Sequence, residues 1–193
     1  MNKKLETKLK NNANLLLIQL NNWDKLIDES EDIYSDFINS TLELQFINEN
    51  VEKEENIEKE EMKNNQWEIF DQKLENEKKM ENYLSKFSEI LNEIKKVYNQ
   101  LQKEKYDLLN ENKEEELEEI KLNTNLSFFV EQIEEILKMY LKDFTSKRMI
   151  ILDSDTKRRR TFLVYKSFWS LQPFIDKNKK QTFLDLLEKM ISK

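Results

Sequence analysis

The chain has 193 residues, 37% of them charged and 38% hydrophobic, and a net charge of −7. It contains no glycine, cysteine or histidine and a single proline. A glycine-rich phosphate loop, a dinucleotide fingerprint, an imidazole base, a thiolate nucleophile and a Cys/His zinc centre are thereby excluded, which points to a helical, non-enzymatic chain with no cofactor.

From the N-terminus, Leu9, Leu16, Trp23, Ser30, Phe37 and Leu44 fall on one heptad line. Ala13, Leu20, Ile27, Tyr34 and Thr41 fall on a second, four residues on. Apolar side chains at alternating intervals of four and three form a stripe on one helix face. A single helix over 4–47 follows, with Ser30 as the one strongly polar interruption of the first line. The apolar run NLLLIQL at 14–20 is far short of the ~20 residues of a membrane span and lacks the small-residue cleavage site of a signal peptide. A soluble, intracellular chain with no membrane association is expected.

Residues 48–65, NENVEKEENIEKEEMKNN, lose the stripe and gather glutamate, as a solvated connector does. They lack the alternating Asp/Asn ligands and the glycine of an EF-hand loop. A second heptad tract follows, with Met80, Phe87, Ile94, Leu101 and Leu108 on one line and Leu84, Leu91 and Tyr98 on the other. Trp67, Phe70 and Leu74 are expected to extend this apolar face backwards, and Lys105, on a core line, to weaken it. Two long helices with a polar connector predict an antiparallel hairpin of helices 4–47 and 66–110, with Trp23 in the seam. A hairpin buries one stripe of each helix, so a partner helix could complete the bundle.

A further Glu-rich stretch at 111–119 marks a boundary. Phe129, Ile133, Leu137, Tyr140 and Phe144 then recur at helical spacing, with Asn123 to Asn125 available as caps. DSDTKRRR at 153–160 is a polar break, and a last amphipathic helix carries Phe183, Leu187 and Ile191. No strand pattern and no internal repeat is visible. The expected architecture is all-α: a long helical hairpin or coiled coil over 1–122 with acidic connectors, followed by a small C-terminal helical module over 123–193. Lysine and arginine outnumber acids 13 to 6 in residues 142–193 (net +7), against 19 to 33 in the rest (net −14). The hairpin is acidic and the C-terminal module basic.

The stretch KSFWSLQPFID, 166–176, holds the only proline. Pro173 removes a backbone donor and pushes Gln172 out of the right-handed helical region, so a helix ends there. Phe168, Trp169, Leu171 and Phe174 then form an apolar knuckle between two helices. Two readings are open: a core corner that locks the last two helices together, or an aromatic anchor for a protein partner.

Both ends of the chain resemble the cyclin-dependent-kinase-2-interacting protein family. At the front, KLKNNA followed by Trp23, Leu26 and Asp28 is similar to the family's Lys-x-Lys-x-Asn-Ala start and the tryptophan ten residues after the alanine. At the back, Met139 and Tyr140 with Lys147 and Arg148 resemble its Met-Tyr…Lys-Arg helix, and Tyr165, Ser167, Trp169, Gln172 and Pro173 resemble its Tyr-x-Ser-x-Trp-x-x-Gln-Pro motif. Residues 48–122 match only as generic coiled coil. The resemblance implies a non-catalytic nuclear adaptor. It would be associated with DNA replication, checkpoint signalling and cell-cycle kinases. It would also be a subunit, beside a small helical partner protein, of an AAA+ ATPase complex serving replisome turnover and large-ribosomal-subunit maturation. On that reading Trp23, Met139, Tyr140, Lys147, Arg148, Tyr165, Phe168, Trp169, Gln172, Pro173 and Phe174 are the partner-binding candidates.

Two other classes compete. A coiled-coil subunit of a kinetochore or microtubule-organising complex would share the hairpin without the Trp-x-x-Gln-Pro corner. Nucleic-acid binding through Lys157–Arg160 and Lys177–Lys180 would use basic residues interleaved with aromatics. The acidity of the whole chain argues against the latter, because four contiguous basic residues also serve as a solvated loop or localisation signal.

Overall fold

The computed structural model describes residues 3–51, 57–110, 125–153 and 159–192. Among these are five helices and no strand: α1 (Lys3–Val51), α2 (Ile57–Asn110), α3 (Leu126–Leu152), α4 (Arg159–Leu171) and α5 (Lys177–Ser192). The all-α fold and the hairpin of α1 with α2 are as the heptads require. Lys8 pairs with Glu104, Trp23 packs on Phe87, and Gln66 Nε2 donates to Asn48 Oδ1 at 2.5 Å. Residue numbers fall along α2 as they rise along α1, so the two helices run antiparallel.

α2 begins earlier than the apolar stripe, because glutamate, lysine and glutamine sustain a helix without contributing to a seam. Residues 52–56 of the first connector, the Glu-rich stretch 111–119, Asn123, Lys157 and Arg158 lie outside the described residues. Only the backbone of Arg159 and Arg160 is described. Asn125 caps α3: its Oδ1 accepts from Phe128 N at 2.6 Å, and its carbonyl accepts from Phe129 N at 3.0 Å.

The chain forms two compact units, and each draws on both the hairpin and the C-terminal helices. The first comprises residues 1–24, 87–143 and 173–193; the second comprises 25–86 and 144–172. Each unit thus holds a stretch of α1, of α2 and of α3, and one short helix, α5 in the first and α4 in the second. The physical reason lies in the hairpin, which buries a single stripe per helix and leaves further apolar positions for other helices to cover.

In the first unit the seam is mainly apolar: Leu9, Leu16 and Trp23 of α1 and Phe87, Ile94 and Leu101 of α2 are all 1% exposed or less. Phe129 of α3 stacks on Phe183 of α5, with centroids 6.2 Å apart. Lys105 is half-buried and forms an ion pair with Glu131 at 4.0 Å. On α5 the buried residues are Phe183, Leu187 and Met190, with Ile191 half-buried.

In the second unit one expectation fails. Trp67, Phe70 and Leu74 do not continue the seam; they are 68%, 41% and 39% exposed, while Ile69, Lys73 and Asn76 are 5%, 7% and 6% exposed. An unbroken helix keeps one phase, and stepping back from Met80 by four, three and four reaches Asn76, Lys73 and Ile69. Placing Trp67 in the seam would require an insertion in the repeat. Lys73 lays its aliphatic stem in the seam and reaches Glu77 at 3.7 Å. Across the seam Ile47 is buried where the first heptad line placed Leu44, which is half-buried. No described helix is long and apolar enough to cross a membrane.

Candidate functional site

The residues the sequence singles out divide between the two units. α4 ends at Leu171, and Gln172 has φ 48°, in the left-handed region that glycine ordinarily occupies after a helix. The chain has no glycine, so a glutamine takes that position at a cost of about 1–2 kcal/mol. Pro173 follows and, without an N–H, cannot extend the helix. Gln172 is the last residue of the second unit and Pro173 the first of the first.

Within the second unit, Trp169 is fully buried. Its ring stacks on Tyr34, with centroids 4.6 Å apart and planes 14° apart, and its Nε1–H donates to Ser30 Oγ at 3.0 Å. Ser30 in turn donates to the Ile27 carbonyl at 3.1 Å. A buried indole N–H needs an acceptor, and the polar interruption of the α1 heptad supplies it. The neighbouring Ser170 donates to Glu31 at 2.7 Å, and Lys147 Nζ lies 5.4 Å from the Trp169 ring centre. Tyr165, half-buried, meets Phe162 edge-on at 6.5 Å. Burial pushes the Tyr34 hydroxyl well above the usual tyrosine range, and Tyr165 adds to the shift.

Within the first unit, Trp23 is fully buried between Phe87 at 4.6 Å and Tyr140 at 4.8 Å. Burial raises the Tyr140 hydroxyl, with Asp24 and Asp143 adding to the effect. Past the corner, Ile175 is buried and Asp176 caps α5, its Oδ1 accepting from Asn178 N at 3.0 Å and Lys179 N at 3.1 Å. The Asp176 N–H donates to the sulfur of Met139 at 3.4 Å. Lys179 pairs with Glu135 at 2.8 Å and Lys180 with Asp24 Oδ2 at 2.6 Å, fixing α5 to α3 and α1.

The candidates therefore separate by environment. Trp23, Tyr140, Lys147 and Trp169 are buried; Met139, Tyr165, Phe168 and Gln172 are half-buried; Arg148, Pro173 and Phe174 are exposed. Trp169 is buried against Tyr34 and Ser30 of α1, and of the candidates Arg148, Pro173 and Phe174 are the exposed ones, Phe174 at 40%. The sequence did not assign Ser30, Glu31 or Tyr34 a part beside Trp169, nor Asp176 the role of capping α5. The signal for Ser30 was its polarity on an otherwise apolar line. Among the described residues no cluster of acids is placed to hold a metal ion. No protein-family model and no curated protein matches this chain.

Proposed function

We propose that the chain is a non-catalytic nuclear adaptor of the kind its Trp-x-x-Gln-Pro corner resembles, a helical subunit of an AAA+ ATPase assembly that also contains a small helical partner protein. On this reading it links cell-cycle kinases to DNA replication and checkpoint signalling, and serves replisome turnover and large-ribosomal-subunit maturation. The observation that carries the reading is the corner itself. Tyr165, Ser167, Trp169, Gln172 and Pro173 stand in the motif's order, and Pro173 and Phe174 are exposed.

The absence of glycine, histidine and cysteine supports a binding role over catalysis. Affinity purification of the tagged chain with mass spectrometry tests the reading. It should recover AAA+ ATPase subunits, and Phe174→Ser should reduce their recovery while the melting temperature stays within a few degrees. Recovery of kinetochore or microtubule-organising proteins without an ATPase would replace this function with the coiled-coil one.

A further inference from the structure

The two ends of the hairpin are closed by residues of different character. Along residues 5–23 of α1 and 87–101 of α2, the buried side chains are apolar apart from Asn12. At the distal end, nearest the first connector, side chains are described for residues 35–49 of α1 and 65–79 of α2. The buried ones there are Phe37, Ile38, Ile47 and Ile69, but also Ser40, Thr41, Lys73 and Asn76. Half of the distal seam is polar.

Those polar groups contribute little to its closure. Ser40 Oγ donates to the Asp36 and Phe37 carbonyls at 2.9 and 3.1 Å, and Thr41 Oγ1 to the Phe37 carbonyl at 2.7 Å. These bonds lie within α1 and persist when α2 moves away. The pair of Lys73 with Glu77, at 3.7 Å, likewise joins two turns of one helix. Asn76 Nδ2 is enclosed without a hydrogen-bond partner, a cost that exists only while the seam is shut. The bond from Gln66 Nε2 to Asn48 Oδ1 does cross between the helices, but it lies at the surface, where water can replace it. Trp67, Phe70 and Leu74, which could have held this end closed, are exposed.

From this contrast we infer that the distal hairpin, residues 35–49 with 65–79, is a conformational device: a cooperative element that opens and recloses while residues 5–23 and 87–101 stay packed. Once the helices part, neither retains a buried face there, and a solitary helix of this length unravels in water. Opening therefore frees the backbone amides. It also uncovers Phe37, Ile38, Ile47 and Ile69, which the closed form withholds from any partner. The inference is independent of the adaptor reading and of the corner.

Native-state hydrogen exchange of the full chain in low denaturant tests it. The amides of Phe37, Ile38, Ile69 and Lys73 should share one opening constant, about a hundredfold or more above that of Leu16, Leu20, Ile94 and Val97. Its dependence on denaturant should be the weaker, because a partial opening exposes less surface. Lys73→Leu/Asn76→Leu makes the α2 side of the seam apolar and should slow exchange at the distal amides about tenfold or more. Thr41→Val, which keeps the side-chain shape, should act in the same direction by a smaller factor. The proposal is overturned if the distal amides exchange as slowly as Leu16 and Ile94 with the same denaturant dependence, or if neither variant slows them. It is also overturned if protection rises residue by residue from the helix ends inward, which is fraying rather than a cooperative opening.

Discussion

Each compact unit is built around a buried tryptophan, and the two are held by different physics. Trp23 in the first unit touches Phe87 and Tyr140, among seam residues that are mainly apolar there. Trp169 in the second unit stacks on Tyr34, donates to Ser30 and lies beside a buried lysine. Of the buried polar residues, Asn12 and Asp143 belong to the first unit, whereas Ser30, Ser40, Thr41, Lys73, Asn76 and Lys147 belong to the second. Apolar packing tolerates shifts of register better than hydrogen bonding does, because contact is non-directional. The first unit is therefore held mainly by the quantity of buried surface. The second depends on particular donors meeting particular acceptors, and the same turns carry an uncovered aromatic stripe.

Replacing either tryptophan should give the largest effect. Trp23→Ala and Trp169→Ala are each expected to cost roughly 3–5 kcal/mol in denaturant unfolding. An unaltered midpoint for Trp23→Ala would break the hairpin register. Next, Ser30→Ala should cost about 1–3 kcal/mol, because it strips a buried indole N–H of its acceptor. Adding Trp169→Phe should then cost less than the sum of the single changes. Full additivity would mean that the Ser30–Trp169 bond does not contribute to stability.

Alkali should act on both units alike. The folded-state pKa values of Tyr34 and Tyr140 are raised above the ordinary 10.0, chiefly by burial. Their neutral forms are equally available to folded and unfolded chains below that pH. Above it the unfolded chain ionises first, and stability falls. The loss should be about 1.4 kcal/mol per tyrosine near pH 11. Tyr34→Phe/Tyr140→Phe should remove that part of the slope while costing little near neutral pH, since neither hydroxyl has a hydrogen-bond partner in the fold. The smallest expected change is a gain. Gln172→Gly should stabilise by about 0.5–1 kcal/mol, relief of the left-handed backbone outweighing the extra freedom of the unfolded chain. A loss on that substitution would show that the glutamine side chain contributes more than its backbone costs.

How much of this was readable beforehand follows from the range of each interaction. The heptad lines through Leu9, Leu16 and Trp23 and through Phe87, Ile94 and Leu101 are local patterns with a fixed period, and the buried faces follow them. The stop at Pro173 was equally legible, since proline acts on its immediate neighbours. The Trp67 stripe was misread because hydrophobicity and phase disagree there, and an uninterrupted helix obeys phase. Ser30 was noticed, but its role was not assigned, because its partner lies 139 residues away and no local rule joins them. The mixing of hairpin and C-terminal helices within each unit was hidden for a related reason: composition changes near residue 122, but packing ignores that change.

The separation of Ser30 from Trp169 also sets a clock for biosynthesis. At about 5–20 residues per second, a ribosome delivers Trp169 roughly 7–30 s after Ser30, and Lys180 later still relative to its partner Asp24, 156 positions upstream. Helices form in about a microsecond, so α1 and α2 can pair long before α4 and α5 exist. For that interval the nascent hairpin carries apolar faces with nothing to cover them. Ribosome-associated chaperones that hold such surfaces should therefore engage this chain between the emergence of α2 and that of α4, and release it once Trp169 arrives.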